Sequence, residues 1–245
     1  MSFLYHTLIY NPLYNILVEL FNLFTWVDAG IAVIVLTIIV RLILFPLSKK
    51  SVLTQVKMKE LGPELEALKE KYKNNSEEQA KQTLALYKTK GVNPFSGIFL
   101  ILLQLPIIWA LYQIFLHAGF PEVNSAILYP FVKVPDFIST QFLGLFNITE
   151  KNAVLAVLAA LSTYFQIKFA ASKMQTPNTK EKSFGNDLAK SMQSQMKYFF
   201  PVIVFFIAYK ISGVVALYWL TSNLFTIGQE IWIQKKHTNK TIQPA

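Results

Sequence analysis

"TIIVRLILFPLSKK", residues 37–50, decides how the rest of the chain is read. The run is apolar enough for lipid, yet it holds Arg41, the one arginine among 245 residues. A charge at a helix centre costs about 2.5–3.5 kcal/mol on insertion scales. Arg41 stands about 6 residues from the lysine-marked end of its run, roughly 9 Å deep at 1.5 Å per residue. Two readings are open. The long side chain could snorkel back to the headgroups, or it could face a wet cavity. Four lysines between positions 49 and 59 already anchor that end. Thr37 lies one turn earlier on the same face, and Ser48 extends the polar stripe. A shared polar face suits a cavity better than lipid.

The surroundings agree with a membrane. Apolar residues make up 53% of the chain, including 20 Phe, 11 Tyr and 4 Trp, and they fall in blocks close to the roughly 20 residues that a spanning helix needs. The pattern predicts an all-α polytopic membrane protein with five transmembrane helices. They are expected at 29–47, 95–116, 152–171, 198–212 and 213–233, the last two parted by a tight turn at Ser212-Gly213. Residues 1–28, with Phe3, Leu4, Tyr5, Leu8, Ile9, Leu13, Ile16, Leu17 and Leu20, suit an interfacial helix and carry no signal-peptide pattern. Lysine placement sets the orientation. Segments 48–94, 172–197 and 234–245 hold ten, five and three lysines, against only Lys133, Lys151 and Lys210 on the opposite side. The positive-inside rule then puts the N-terminus outside and the C-terminus in the cytoplasm.

Between the first two spans, 48–94 reads as a cytoplasmic helical hairpin or a solvated connector. Gly62-Pro63 interrupts it, Ser76 with Gln79 fits a capping box, and Lys90-Gly91 closes it. The 117–151 loop is apolar and proline-punctuated, suited to the opposite membrane surface. The cytoplasmic connection 172–197 begins with "SKMQTPNTKEKSFGND", a linker that looks flexible. From Tyr198 to Tyr209 the fourth apolar run has about 18 Å of helix against a core of about 30 Å, a mismatch that thins a bilayer or draws flanking lysines inward.

Other spans offer polar partners. Gln104 sits beside Pro106, and Thr163 and Gln166 share a face. Tyr218, Ser222, Thr226 and Gln229 form one stripe of the last span, with Trp219 and Asn223 beside it. Each alone is interhelical glue, worth about 0.6 kcal/mol. Together they surround a positive charge with no mid-span carboxylate, and water or an acidic client group is expected to solvate it. Covalent chemistry is not expected. With no cysteine, disulfides, zinc–thiolate sites and thiol catalysis are excluded, and His6, His117 and His237 lie at interfaces or in the tail. Glu230 is the sole candidate for ion coupling. Neither catalytic residues, metal, cofactor nor nucleic-acid substrate is expected.

Three stretches carry a resemblance. "GIAVIVLTIIVRLILFPLSKK", "YKTKGVNPFSGIFLILLQLPIIWALY" and "GVVALYWLTSNLFTIGQ" resemble, in order, the core spans of the YidC/Oxa/Alb family of membrane protein insertases. The likeness runs from about Leu13 to Trp232, over a core without a large extracytoplasmic domain. It implies a positively charged groove open to cytoplasm and lipid but closed outside, and a mobile cytoplasmic hairpin. By motif, Arg41 would be the groove charge and Gln104, Gln166 and Trp219 would line it. Small client membrane proteins with short or acidic tails, and the lipid bilayer, would be the partners. The Sec translocon, the signal recognition particle receptor and the ribosome are further candidates. Insertion without ATP hydrolysis, in a bacterial plasma membrane, is the function expected. The alternative is a small anion channel or transporter using Arg41 as its binding charge. A purely structural subunit comes third.

Overall fold

Long apolar stretches with few breakers leave the backbone one economical way to satisfy its own polar groups, and helix dominates accordingly. The computed structural model describes residues 2–24, 28–93, 96–116, 122–171 and 184–242. The chain opens with α1 (Ser2–Tyr5), a π turn (His6–Tyr10) and α2 (Asn11–Leu23). Then come α3 (Ala29–Ile43), α4 (Phe45–Glu60), α5 (Gly62–Lys71), α6 (Ser76–Thr89) and α7 (Ser96–Leu116). After two short strands, β1 (Gln141–Phe142) and β2 (Phe146–Asn147), follow α8 (Ala153–Ala171), α9 (Phe184–Ile211) and α10 (Gly213–Ile242). The body is a bundle in which α8 lies against α9 and α10, and α10 also lies along α3. Among the described residues, α8 is long and apolar enough by itself to cross a membrane. Taken as one bent span, α3 and α4 make a second, and the apolar part of α7, Leu102–Phe115, is shorter.

Several expectations change. The first apolar run is not one straight helix to residue 47, because α3 and α4 meet at Leu44 with a bend of 64°. Pro46, at the second position of α4, has no N–H to continue the α3 ladder. The sequence from α5 to α6 does fold back as a hairpin, held at its base by Lys90 Nζ–Glu64 Oε1 at 2.6 Å. Its second helix is capped one residue earlier than a Ser76 box would have it: Asn75 Oδ1 accepts from Glu78 N at 3.0 Å. The helix ends as expected of Lys90-Gly91. Gly91 adopts φ +64, and the Gly91 and Val92 amides donate back to Lys88 and Tyr87, the paired bonds of a Schellman ending.

The N-terminal helix is exposed along only part of its apolar length. Phe3, Leu4 and Leu8 are exposed, but Leu13, Tyr14, Leu17, Val18 and Phe21 belong to the buried core. Asn15 explains the attachment: its Nδ2 donates to Ile127 O and its Oδ1 accepts from Tyr129 N. Of the 172–197 connection, 172–183 lies outside the described residues, while 184–197 already belongs to α9. The fourth apolar run is thus the end of a 28-residue helix, long enough in itself and apolar only in its last part. Likewise α10 continues past 233 to Ile242.

The 122–152 connection supplies a feature that helical patterning misses. Leu143 and Gly144, at φ 53 and φ 70, turn β1 back onto β2. This hairpin is fastened to the first residues of α3. Asp28 caps α3 through Oδ1 to Ile31 N and accepts the Leu143 amide on Oδ2, both at 2.9 Å, while Ala29 N donates to Ser139 O. A Cβ at Gly30 would run into the Phe142 ring, so glycine is what lets the hairpin lie flat on the helix. The start of α10 is tied to the same connection by Gly213 N–Glu150 O (2.8 Å) and Val214 N–Ile148 O (2.9 Å). The ends where α3 and α10 begin are therefore held together and covered.

Candidate functional site

Arg41 lies in the last turn of α3, and α10 runs beside it. Ser222 is fully buried on α10 and Gln104 stands near the middle of α7. Arg41 Nε donates to Ser222 Oγ at 2.9 Å and Nη2 to Gln104 Oε1 at 3.2 Å; Nη2 also reaches Ser222 Oγ. Gln104 Nε2 donates to the same serine oxygen at 3.1 Å. One hydroxyl thus joins a cation to an amide, and three helices converge on it.

The expectation of an arginine solvated by water or by a client needs correcting in one respect. Neutral groups of the protein itself solvate Nε and Nη2, at roughly 1.5–3 kcal/mol for each bond to a charged group. No carboxylate pairs with it among the described residues, and the Nη1 donors have no partner there. An arginine carries five N–H donors, so the site is incompletely satisfied and keeps its full positive charge. Beside it is a cavity of about 10 Å³ lined by Val40, Arg41, Leu44, Ser48, Gln104, Ile107 and Tyr218, room for about one water molecule.

The structure thus gathers Arg41, Gln104, Tyr218 and Ser222 from the residues singled out by sequence. It gathers Asn223 and Thr163 elsewhere. Asn223 Nδ2 donates to Thr163 Oγ1 at 2.8 Å and to Ser162 Oγ at 3.0 Å, joining α10 to α8. Ser162 is the residue that sequence reasoning passed over; its signal is a small hydroxyl next to Thr163 in an otherwise Ala/Leu-rich helix. Thr37 is buried, but its hydroxyl donates to Val33 O at 2.6 Å within α3. Trp219 packs half-buried against the core, and Gln166 is half-buried in α8 without a hydrogen bond among the described residues. Gln229 is buried, and both its amide atoms lack partners among the described residues.

Comparison with known proteins decides the family. The profile of the family described as 60Kd inner membrane protein matches residues 20–240. A membrane protein insertase YidC of Fusobacterium nucleatum is 32% identical over 207 residues, which are 84% of this chain and 86% of that one. The chain belongs to the YidC/Oxa/Alb insertase family. A YidC insertase of Clostridium tetani is 29% identical over 206 residues, covering 84% of this chain and 81% of its own length. One from Francisella tularensis subsp. novicida is 32% identical over 212 residues, 86% of this chain but 33% of its own length, so this insertase chain corresponds to about a third of that larger relative. YidC-type insertases are not catalysts of covalent chemistry and do not hydrolyse ATP.

Proposed function

We propose that this chain inserts and helps fold small bacterial membrane proteins through the site built on Arg41. The observation that carries the proposal is a guanidinium inside the first apolar run that is held by neutral side chains and keeps donors unused. A client's short, acidic extracytoplasmic tail would use those donors. Attraction of a few kcal/mol at an effective dielectric of about 20 guides such a tail without trapping it. The client's apolar segment then leaves sideways between α3, α8 and α10 and partitions into lipid. Thr37, Thr163, Gln166, Trp219 and Asn223 support the groove wall in this reading.

Five spans with the N-terminus outside and the C-terminus cytoplasmic form the proposed topology: α3 with the start of α4, then α7, α8, the end of α9, and α10. The lysine count supports it. So do three cation–aromatic contacts: Lys168 and Lys197 lie over Tyr164, and Lys236 over Trp232, the anchor chemistry of a headgroup region. The hairpin α5–α6 would then stand in the cytoplasm and meet the client first, the ribosome, the signal recognition particle receptor and the Sec translocon being candidate sources of clients. The strand hairpin tied to Asp28 would close the outer end. A covered outer end and a cavity of about 10 Å³ favour sideways release over passage of anions through a pore.

The test is reconstitution into liposomes with a single-span client, scoring protease-protected insertion for wild type, Arg41→Ala and Arg41→Lys. Insertion that requires the protein, falls with Ala and survives with Lys is expected. Equal insertion by all three would make Arg41 a mere anchor. No insertion by wild type would sink the proposal and make anion flux the next measurement.

A further inference from the structure

Among the described residues, the site leaves a buried carboxamide unused. Gln229 on α10 is 6% exposed, and neither its Oε1 nor its Nε2 has a hydrogen-bond partner among the described residues. Buried side-chain amides are nearly always paired, and an amide unpaired at both ends is the costliest version of the exception. Its position is not arbitrary. Gln229 stands seven residues beyond Ser222, on the same face of the helix and about 10 Å further along it. Three residues on, Trp232 touches Phe45 at the start of α4, with ring centroids 5.7 Å apart. Gln229 therefore occupies the stretch of α10 between the Arg41 cluster and the contact with α4. Helix α4 adds to the same end: Ser48 lines the cavity beside Arg41, and one turn on, Ser51 is 3% exposed with an unpartnered hydroxyl.

Arg41 and Gln229 differ in chemistry. Arg41 offers only donors and selects anions. A carboxamide offers one acceptor and two donors in a plane, the complement of a peptide group, which presents one donor and one acceptor on every non-proline residue whatever its side chain. We propose that Gln229 is a second client station that pairs with the backbone of the incoming segment, independently of its charge. This rests on the insertase reading above. It assigns specificity for acidic tails to Arg41 and general reception of extended polypeptide to Gln229.

The experiment uses the full chain in liposomes and two single-span clients that differ only in tail charge, one acidic and one neutral. Gln229→Leu is expected to slow both clients alike, by about three- to tenfold, the value of one or two ordinary hydrogen bonds. Gln229→Asn, which keeps the carboxamide, should restore part of the rate. The melting temperature of Gln229→Leu should be unchanged or higher, since an unsatisfied polar group has been removed. A photoreactive side chain at 229 should crosslink to both clients. Unchanged insertion by Gln229→Leu, or slowing confined to the acidic client, overturns the proposal. A fall in melting temperature with full insertion per folded molecule does so too, and makes Gln229 structural. Wild type active and sensitive to Arg41→Ala, with Gln229→Leu inert, removes this inference alone; inactive wild type removes both.

Discussion

Ser222 and Asn223 are consecutive residues on one helix, about 100° apart around it, and they end up in opposite situations. Ser222 turns toward α3 and α7, where its single oxygen is shared by Arg41 and Gln104. Asn223 turns toward α8, where its amide meets two hydroxyls, Ser162 and Thr163, each of which donates in turn to Ala159 O at 2.8 Å. The first network is charged and incomplete, next to a cavity. The second is neutral, buried, and its donors reach acceptors. A polar group inside a membrane bundle acts as glue when it is satisfied, and becomes available for work when a charge and an unused donor remain. On the proposed function, this difference is what sets the Arg41 network apart from the Asn223 network, more than residue type does.

The strongest way to break this contrast is Arg41→Ala. Insertion of an acidic-tailed client should fall at least about tenfold, as expected for losing a bond to a charged group. Stability should hardly move, because Gln104 and Ser222 still bond each other. If unfolding in denaturing detergent came at a clearly lower midpoint, both networks would be glue and the comparison would collapse. Asn223→Leu should do the reverse. It removes two interhelical bonds at about 0.6 kcal/mol each, so roughly 1 kcal/mol of stability, while insertion per folded molecule is preserved; a selective loss of insertion would place Asn223 with the working site. Ser222→Ala sharpens the first network. Gln104 can still hold Nη2, so insertion should drop by only about threefold, the worth of one ordinary bond, as read from initial rates. The smallest effect belongs to Thr37→Val. A hydroxyl bonded back to its own helix contributes little, and both stability and insertion should stay within about 0.5 kcal/mol of wild type; a larger loss would mean that Thr37 reaches the client.

Much of the site was legible in residues 37–50. An arginine in an apolar run requires partners, and a search of the remaining spans for polar groups leads to Gln104, Tyr218 and Ser222, which do line its surroundings. The same search could not rank them. Helical spacing tells which residues share a face, and Thr37 does share one with Arg41, but it does not tell that Thr37 spends its hydroxyl on Val33 O. Nor could it separate Ser222 from Asn223, since that depends on whether α3 or α8 lies opposite. The strand hairpin escaped notice because Gly144 is the one turn residue with the usual signal, while Leu143, also in a left-handed position, takes the place where Asn, Asp or Gly is favoured, and each strand is only two residues long. Asp28 holds that turn from a point 115 residues away, beyond the reach of any local pattern.

The sequence by itself determined that the chain is helical and made for a membrane, that its lysines cluster between the apolar runs and in the tail, and that its one arginine sits where solvation is scarce. These follow from local quantities: apolar run length, helical periodicity, and the cost of a charge in hydrocarbon. Only the tertiary structure decided how that arginine is solvated, where the first run bends, and which of the buried amides is left without a partner. Those outcomes depend on groups brought together from distant parts of the chain, and a hydrogen bond exists only when donor and acceptor arrive within about 3 Å of each other.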